Sequence, residues 1–245
     1  MNLILDIGNT QIKAAVFNQH ELVHLESSKE TEVEFADAII RKYPKVENVI
    51  ISSVRHLSNN LLSFIENRSR KLFLLNADLP IPLENLYESK NTLGYDRLAA
   101  CAGACDKYPK SNILVIDAGT AITFDFVNDK AQYLGGCISP GLNMRFKALN
   151  QFTQKLPHLS INQEFNLIGK NTNDAVISGV QNGIVFEVDS YINNIRNQYP
   201  NLKVVLTGGD AIFIHKFIKN HADLQPEILL EGLNSILEFN LLHRS

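Results

Sequence analysis

An apolar run that ends in Asp, Gly and Thr occurs twice in this sequence, about half a chain apart. The first copy ends in Asp6-Ile7-Gly8-Asn9-Thr10 and the second in Asp117-Ala118-Gly119-Thr120. A Gly turn lets backbone N–H groups approach phosphate oxygens closely, and an acid at a strand end can bind Mg²⁺ directly or through water. The repeat therefore predicts two similar halves that face each other across a metal-bound nucleotide.

Two further segments extend this interpretation. Lys13 lies in the strand that returns from the first turn, from which its side chain could reach the outer phosphates. Thr207-Gly208-Gly209 follows another apolar run and could contact the base or ribose of a nucleotide. One Asp-x-Gly turn alone is equally typical of a plain hairpin, because Asp and Gly dominate turns for backbone reasons. Two copies together with the Gly-Gly turn favour nucleotide binding.

A second group of reactive side chains lies at Gly94-Tyr95-Asp96-Arg97, which closes a polar loop and opens a helix. A carboxylate near a γ-phosphate can take the proton of an attacking hydroxyl, and Arg can hold an anionic substrate by a bidentate contact. The alternative is structural, since an acid at a helix start caps the helix or favours its dipole. For Asp96 alone the structural interpretation is favoured, because an acid in the first turn of a helix is common.

The elements that must position these residues alternate between strands and helices. Apolar runs predict strands at 2–7, 11–17, 20–25, 46–52 and 71–75, with helices at 32–42 and 58–66. After a loop at 76–93, the pattern predicts a helix at 97–108 and strands at 113–117, 123–127 and 132–138, the last with a bulge at Gly135-Gly136. The rest of the pattern consists of three predicted helices, one that ends at about 149, one at 171–199 and one at 232–243. A strand runs from 204 into the Gly208-Gly209 turn and completes the α/β pattern.

The composition argues against several other functions. A net charge of −3 over 245 residues gives no electrostatic basis for binding nucleic acid or an anionic membrane. Three cysteines without a C-x-x-C pair argue against a disulfide framework and suit a reducing cytoplasm. No apolar stretch is long enough to span a bilayer, and neither a Walker A loop nor a Rossmann fingerprint is present. We therefore expect a cytoplasmic protein.

In their order and spacing, the motifs together resemble type III pantothenate kinases, within the actin-like superfamily. The resemblance implies an α/β fold of two ribonuclease H-like halves, with mixed sheets flanked by helices and domains at 1–112 and 113–245. It covers essentially the whole chain, because further family motifs follow in order at Gly135-Gly136-x-Ile138-x-Pro140-Gly141, Leu156-Pro157, Asn171-Thr172 with Ser178-Gly179, and Leu230-Glu231-Gly232-Leu233.

The resemblance implies ATP-dependent phosphorylation of pantothenate to 4'-phosphopantothenate, the first step of coenzyme A synthesis. It also implies a homodimer with shared active sites. Asp96 would be the base, Asp6 would bind Mg²⁺, and Asp117 would bind a monovalent cation, K⁺ or NH₄⁺. The implied pantothenate contacts are Tyr87, Gly94, Tyr95, Asp96, Arg97 and a Thr172 from the neighbouring subunit; the implied ATP contacts are Asp6, Ile7, Gly8, Asn9, Thr10, Gln11, Ile12, Lys13 and Thr120.

Two other functions share part of this pattern. Another small-molecule kinase of the same fold would keep both Gly turns, although Tyr87 and the Gly94 to Arg97 segment favour pantothenate. An accessory transcription-activating factor of the same fold would keep the nucleotide site and lose turnover. The presence of Asp96 favours an enzyme, and the near-neutral charge gives no support for contact with DNA.

Overall fold

The computed structural model describes residues 1–8 and 11–243. The chain divides into two compact units, one formed by Met1–Lys107 with Glu227–Ser245 and the other by Tyr108–Pro226. Each unit contains a mixed β-sheet flanked by helices, which confirms the predicted α/β class. Across the described part of the chain, none of the helices combines the length and the apolar character needed to cross a membrane.

The first unit is built on a five-stranded sheet in the order β3-β2-β1-β4-β5. The central strand β1 pairs antiparallel with β2 and parallel with β4. The first two helices pack their apolar side chains against this sheet, for example Phe35 and Ile39 of α1 and Leu61 of α2. The elements are β1 (Asn2–Ile7), β2 (Ile12–Asn18), β3 (Glu21–Ser28), α1 (Glu32–Lys42), β4 (Asn48–Ser53), α2 (Asn59–Glu66), β5 (Lys71–Leu74), the short β6 (Glu84–Asn85), a 3₁₀ turn (Lys90–Thr92), α3 (Tyr95–Lys107) and α7 (Ile228–His243).

Helix α1 shows how local sequence fixes an element. Thr31 is its N-cap and accepts a hydrogen bond from the backbone N–H of Glu34, while the Thr31 hydroxyl donates to the Glu34 carboxylate. This exchange satisfies a backbone donor that has no partner inside the helix. The predicted bounds, 32–42, are confirmed.

The second unit repeats the strand arrangement of the first. Within it the strands lie in the order β9-β8-β7-β10-β11, and β7 pairs antiparallel with β8 and parallel with β10. The predicted similarity of the two halves is thus confirmed at the level of topology. The elements are β7 (Ile113–Ala118), β8 (Ala121–Val127), β9 (Gln132–Pro140), α4 (Leu142–Gln151), α5 (Thr172–Gln198), β10 (Lys203–Thr207), α6 (Ala211–Phe217) and β11 (Asp223–Leu224).

The bulge predicted in β9 is also confirmed. Tyr133 pairs with Val127 and Gly135 pairs with Phe126, so the ladder shifts by one residue between them. Gly135 has a φ of 127°, a backbone conformation that a residue with a side chain adopts only under strain. The bulge lets the fully buried Tyr133 donate its hydroxyl hydrogen to Asp125.

The C-terminal helix differs from its prediction in two respects. It begins at Ile228 rather than at Gly232, and it belongs to the first unit, whereas the sequence placed it in a second half at 113–245. Gly232 is an unfavourable residue for a helix interior. It lies inside α7 because α7 and α3 cross there: a Cβ on Gly232 would lie 1.8 Å from the carbonyl oxygen of Ala99, and one on Gly103 would lie 2.4 Å from that of Ile228.

Replacing Gly232 with Ala should therefore lower the free energy of unfolding by about 3 kcal/mol, because the new methyl group meets backbone rather than a movable side chain. Urea unfolding monitored by circular dichroism would measure this change. The matched control is Gly179→Ala in α5, where a new Cβ meets nothing within 4 Å. That control should be neutral or stabilising by about 0.5–1 kcal/mol, as for Gly to Ala in an open helix. Equal stability of the two variants would contradict the close helix crossing.

Candidate functional site

In the first unit, Asp6 is the penultimate residue of the central strand. The register places Lys13 of β2 on one side of it and Ser52 of β4 on the other. Burial raises the pKa of the Asp6 carboxyl above its ordinary value, while the charge of Lys13 and a hydrogen bond from Ser52 act in the opposite direction. The carboxylate of Asp96 also raises this pKa, so Asp96 lies within electrostatic reach of Asp6. Ser52 was missed as a site residue, although a polar side chain at the end of a buried run was the available signal.

The first Gly turn closes through a backbone hydrogen bond. The N–H of Gly8 donates to the carbonyl of Gln11 at 3.1 Å. Ile7 and Ile12 flank this turn with side chains buried in the core, so only their backbone could contact a nucleotide. Gln11 is exposed. The predicted ATP contacts Asn9 and Thr10 lie outside the described residues.

The Gly94 to Arg97 segment opens α3. The exposed Asp96 lies in the first turn of this helix, and its Oδ1 accepts a hydrogen bond from the backbone N–H of Arg97 at 2.9 Å. A Cβ on Gly94 would lie only 2.4 Å from the same Oδ1 atom, so the carboxylate occupies the space that any larger residue at position 94 would need. Asp96 thus has the structural role of an acid at a helix start. The contacts with Gly94 and Arg97 also fix the orientation of its exposed carboxylate.

The other predicted pantothenate contacts of the first unit differ in exposure. Arg97 is buried, with 9% of its surface exposed. Tyr87 is half-buried, and its backbone N–H donates to the side chain of Asn85. Tyr95, also half-buried, lines a cavity of about 520 Å³ beneath the loop that follows β5, together with Leu79 of that loop.

In the second unit, Asp117 occupies the position on β7 that Asp6 occupies on β1. The register places it between Thr123 of β8 and Thr207 of β10. The turn after Thr207 passes close to its carboxylate: a Cβ on Gly208 would lie 2.4 Å from Asp117 Oδ1, and Gly208 has a φ of 96°. Only glycine meets both demands without strain. The second Gly turn closes as the first does, with the N–H of Gly119 donating to the carbonyl of Ala121 at 3.0 Å.

A cavity of about 820 Å³ opens beside this turn. Its size is in the range of pockets that hold a ligand as large as a nucleotide. The predicted ATP contact Thr120 and the predicted base or ribose contact Gly209 both line it, so the second unit brings these two segments together. Burial raises the pKa of Asp210, the next residue along the wall. The opposite wall is helix α4, in which no site residue was predicted; it contributes Asn143, Met144, Lys147, Ala148 and Gln151.

Thr172 lies apart from these residues in the chain, at the first position of α5. Its side chain is exposed, and the preceding Asn171 caps the helix by accepting a hydrogen bond from the backbone N–H of Asp174. The role implied for Thr172, contact with pantothenate bound to a neighbouring subunit, stays a prediction.

The strand-terminal acids Asp6 and Asp117 are suited to a cation that takes only one or two ligands from the protein, and less to a metal ion that protein side chains surround completely. Within residues 1–8 and 11–243, no group of three or more His, Cys, Asp or Glu side chains could hold a metal ion. Mg²⁺ in nucleotide sites is held by one or two carboxylates, with phosphate oxygens and water as its other ligands. Asp6, with Asp96 in reach, meets that requirement.

Each unit has five strands in the same order, with an acid near the end of the central strand beside a Gly turn, and the second unit has a nucleotide-sized cavity. These features define the class of actin-like kinases. A model of the type III pantothenate kinase family matches residues 2–194. A type III pantothenate kinase from Bacteroides fragilis is 41% identical over 240 residues, which cover 98% of both chains.

Solved structures share the fold at lower identity. A protein from Campylobacter jejuni described as a Baf family transcriptional activator has a TM-score of 0.64 at 23% identity, covering 98% of this chain and 99% of its own. A Listeria monocytogenes protein described as an N-acetylmannosamine kinase has a TM-score of 0.56 at 11% identity, covering 100% and 99%. The chain belongs to the type III pantothenate kinase family. It is therefore a kinase, and its family implies ATP and a divalent metal ion.

The contact between Gly94 and Asp96 leads to a prediction. In Gly94→Ala the new Cβ would collide with the end of the Asp96 side chain, which can rotate away, so the thermal stability should be unchanged. If Asp96 acts as the base that the resemblance implies, the rate of phosphoryl transfer should fall about 100-fold, the typical result of misplacing a reacting group by about 1 Å. Steady-state kinetics and a melting curve would test both points. If the loss acts through Asp96, the double variant Gly94→Ala, Asp96→Asn should be no slower than Asp96→Asn alone.

Proposed function

We propose that this chain transfers the γ-phosphate of ATP to the primary hydroxyl of pantothenate, as a homodimer that requires Mg²⁺ and a monovalent cation. One observation carries the assignment of the reacting groups. The exposed carboxylate of Asp96 lies at the start of α3, within electrostatic reach of Asp6 at the first Gly turn. An acid is thus close enough to the first Gly turn, to which we assign the phosphates, for its charge to act on Asp6.

Asp96 acts as the general base in this proposal. Its Oδ1 is fixed by the backbone N–H of Arg97, and its exposed carboxylate can accept a hydrogen bond from the hydroxyl of an incoming acceptor. As the hydroxyl oxygen attacks the γ-phosphorus, the proton passes to this carboxylate, the bond from the γ-phosphorus to the bridging oxygen breaks, and ADP leaves. Phosphoryl transfer needs little covalent help, and a positioned base together with charge neutralisation supplies most of what the protein can contribute.

Charges on the chain neutralise the anionic reactants. Lys13, opposite Asp6 on the neighbouring strand, has a position from which it can stabilise negative charge that develops on the phosphates. Arg97 adds a permanent positive charge next to Asp96, and its buried position lowers the screening by water. We assign the carboxylate of pantothenate to Arg97. Tyr87, Gly94 and Tyr95 would complete the pocket on the same unit.

The neighbours of the two strand-terminal acids support different cations. Asp6 has Lys13 beside it in the ladder, and Asp6 would hold the Mg²⁺ that neutralises the charge of the phosphates together with Lys13. Asp117 has two neutral hydroxyl residues in register, Thr123 and Thr207. Hydroxyl groups in register with a carboxylate offer the oxygen ligands that a monovalent cation takes, and we therefore assign K⁺ or NH₄⁺ to Asp117. When bound, this cation would offset negative charge near Thr120.

Thr172 is the residue that we expect to act across the dimer. Its exposed hydroxyl at the start of α5 is available to a neighbouring molecule, and we propose that it contacts the pantothenate bound by the partner subunit. Two alternatives remain as outcomes of the assay. A kinase of this fold with another acceptor would turn over ATP with a different alcohol, and an accessory transcription factor would bind ATP without phosphorylating pantothenate.

The role of Asp96 is tested by Asp96→Asn. The amide keeps the size of the carboxylate and cannot take the proton, so kcat should fall by roughly 10²- to 10⁴-fold while ATP affinity stays unchanged. Asp106→Asn, an acid at the other end of the same helix, is the matched control and should retain the wild-type rate. Near-normal turnover by Asp96→Asn would remove Asp96 from the role of base.

The cation assignment is tested by comparing phosphorylation of pantothenate in K⁺ and Na⁺ buffers of equal ionic strength, with Mg²⁺ present. The wild-type rate should fall sharply in Na⁺, because a site suited to K⁺ binds the smaller ion in a different geometry. Asp117→Asn should be slow in both buffers and thus insensitive to the change. Equal wild-type rates in the two salts would contradict a K⁺ site, and no activity in K⁺ or NH₄⁺ from a folded, ATP-binding dimer would contradict the proposed reaction.

A further inference from the structure

The segment that joins β9 to α4 contacts the second Gly turn, Gly119-Thr120, through its backbone. The N–H of Gly141 donates to the carbonyl of Thr120 at 3.1 Å, and Pro140 lies opposite Ala121 in the β-ladder. The approach is very close: a Cβ on Gly141 would lie 2.3 Å from the carbonyl oxygen of Gly119. Any shift at the end of β9 is therefore transmitted directly to the Gly119-Thr120 turn.

One side chain fixes the end of β9 by several bonds. Arg145, in the first turns of α4, donates from Nε to the carbonyl of Pro140 at 2.7 Å and from Nη2 to the hydroxyl of Ser139 at 3.1 Å. Its Nη2 also forms an ion pair with Glu187 of α5. The two charged side chains are about one-fifth exposed, 21% and 23%, so water screens this pair only in part. Arg145 thus connects β9, α4 and α5 at one point.

Arg145 does not line the nucleotide cavity itself. Residues 143, 144, 147, 148 and 151 of α4 line the cavity and recur at the three- and four-residue spacing of one helix face. Arg145 lies off this face and contacts β9 and α5 instead. It therefore influences two walls of the cavity, because it fixes both the orientation of α4 and the Gly119-Thr120 turn.

We propose that Arg145 is a positioning residue for nucleotide binding, which acts by holding the Gly119-Thr120 turn at a fixed distance from the lining face of α4, with Glu187 as its anchor. The proposal rests on the proposed nucleotide site. Arginine is required rather than lysine, because a planar guanidinium can donate in several fixed directions at once. An ammonium group could keep the ion pair with Glu187 while the bond to Pro140 is lost.

The test measures binding of a non-hydrolysable ATP analogue to the full-length protein with Mg²⁺, without pantothenate. Arg145→Gln should weaken binding about tenfold, the effect of losing one connected network, and Arg145→Lys should fall between it and the wild type. Glu187→Gln should weaken binding in the same direction, and the double variant should be less affected than the sum of the single effects. In steady-state assays the KM for ATP should rise while the KM for pantothenate stays within about twofold.

The matched control is Arg196→Gln, which removes another arginine of the same unit that donates to a side chain, Asn220 of the segment after α6. It should leave analogue binding unchanged even where it lowers the melting temperature. Wild-type affinity in both Arg145 variants, or an equal loss in Arg196→Gln, would overturn the positioning role. If the wild-type protein and the variants bind the analogue as expected but the wild type does not phosphorylate pantothenate, the proposed reaction alone is overturned. A wild-type protein that binds no analogue would overturn both.

Discussion

The candidate chemistry depends on the register of the central strand in each unit. β1 and β7 both pair antiparallel on one side and parallel on the other, and each carries an acid near its end. Because strand side chains alternate between faces, a slip of the central strand by one residue would turn its acid to the opposite face, away from the two neighbours on the adjacent strands. The buried apolar residues of these strands, such as Ile4 and Ile116, prevent that slip. Core packing and site geometry are thus fixed by the same hydrogen-bond ladders.

Duplicated topology has not produced two equivalent sites. The position opposite the acid holds a cation in the first unit, Lys13, and a hydroxyl in the second, Thr123. The next strand offers Ser52 in one unit and Thr207 in the other. A few substitutions on one scaffold therefore change how strongly each acid attracts a positive ion. This difference is visible only when the strands are paired, because the residues involved are far apart in sequence.

Local patterns predicted most of the elements but only part of the site. The strand at 2–7 and the helix at 32–42 have strong apolar patterns and fall where the sequence placed them, and the strand predicted at 113–117 extends by one residue, to Ala118. The seven-residue helix α6 was not predicted, because so short a helix carries little periodic signal. The lining face of α4 was also missed, since exposed residues such as Asn143 and Lys147 are ordinary for a helix surface until the turn at Thr120 is known to lie opposite.

Tertiary contacts overrode local preference where helices cross. At Gly232 the absence of a side chain marks the crossing of α7 with α3, whereas in an isolated sequence the same residue is more typical of a helix terminus than of a helix interior. A glycine in a sequence is ambiguous in this way because it occurs both at helix termini and where two backbones pack in contact, and the sequence alone does not distinguish the two cases.

The return of the last helix to the first unit has a consequence for synthesis. The second unit is one continuous segment, Tyr108–Pro226, inserted into the first, whose final helix is Ile228–His243. During translation the second unit can collapse as soon as its own residues have left the ribosome. The first unit must wait, with the buried face of α3 lacking its partner helix, until the last residues of α7 have been made. Most of the residues assigned to substrate and catalysis lie in the unit that is completed last.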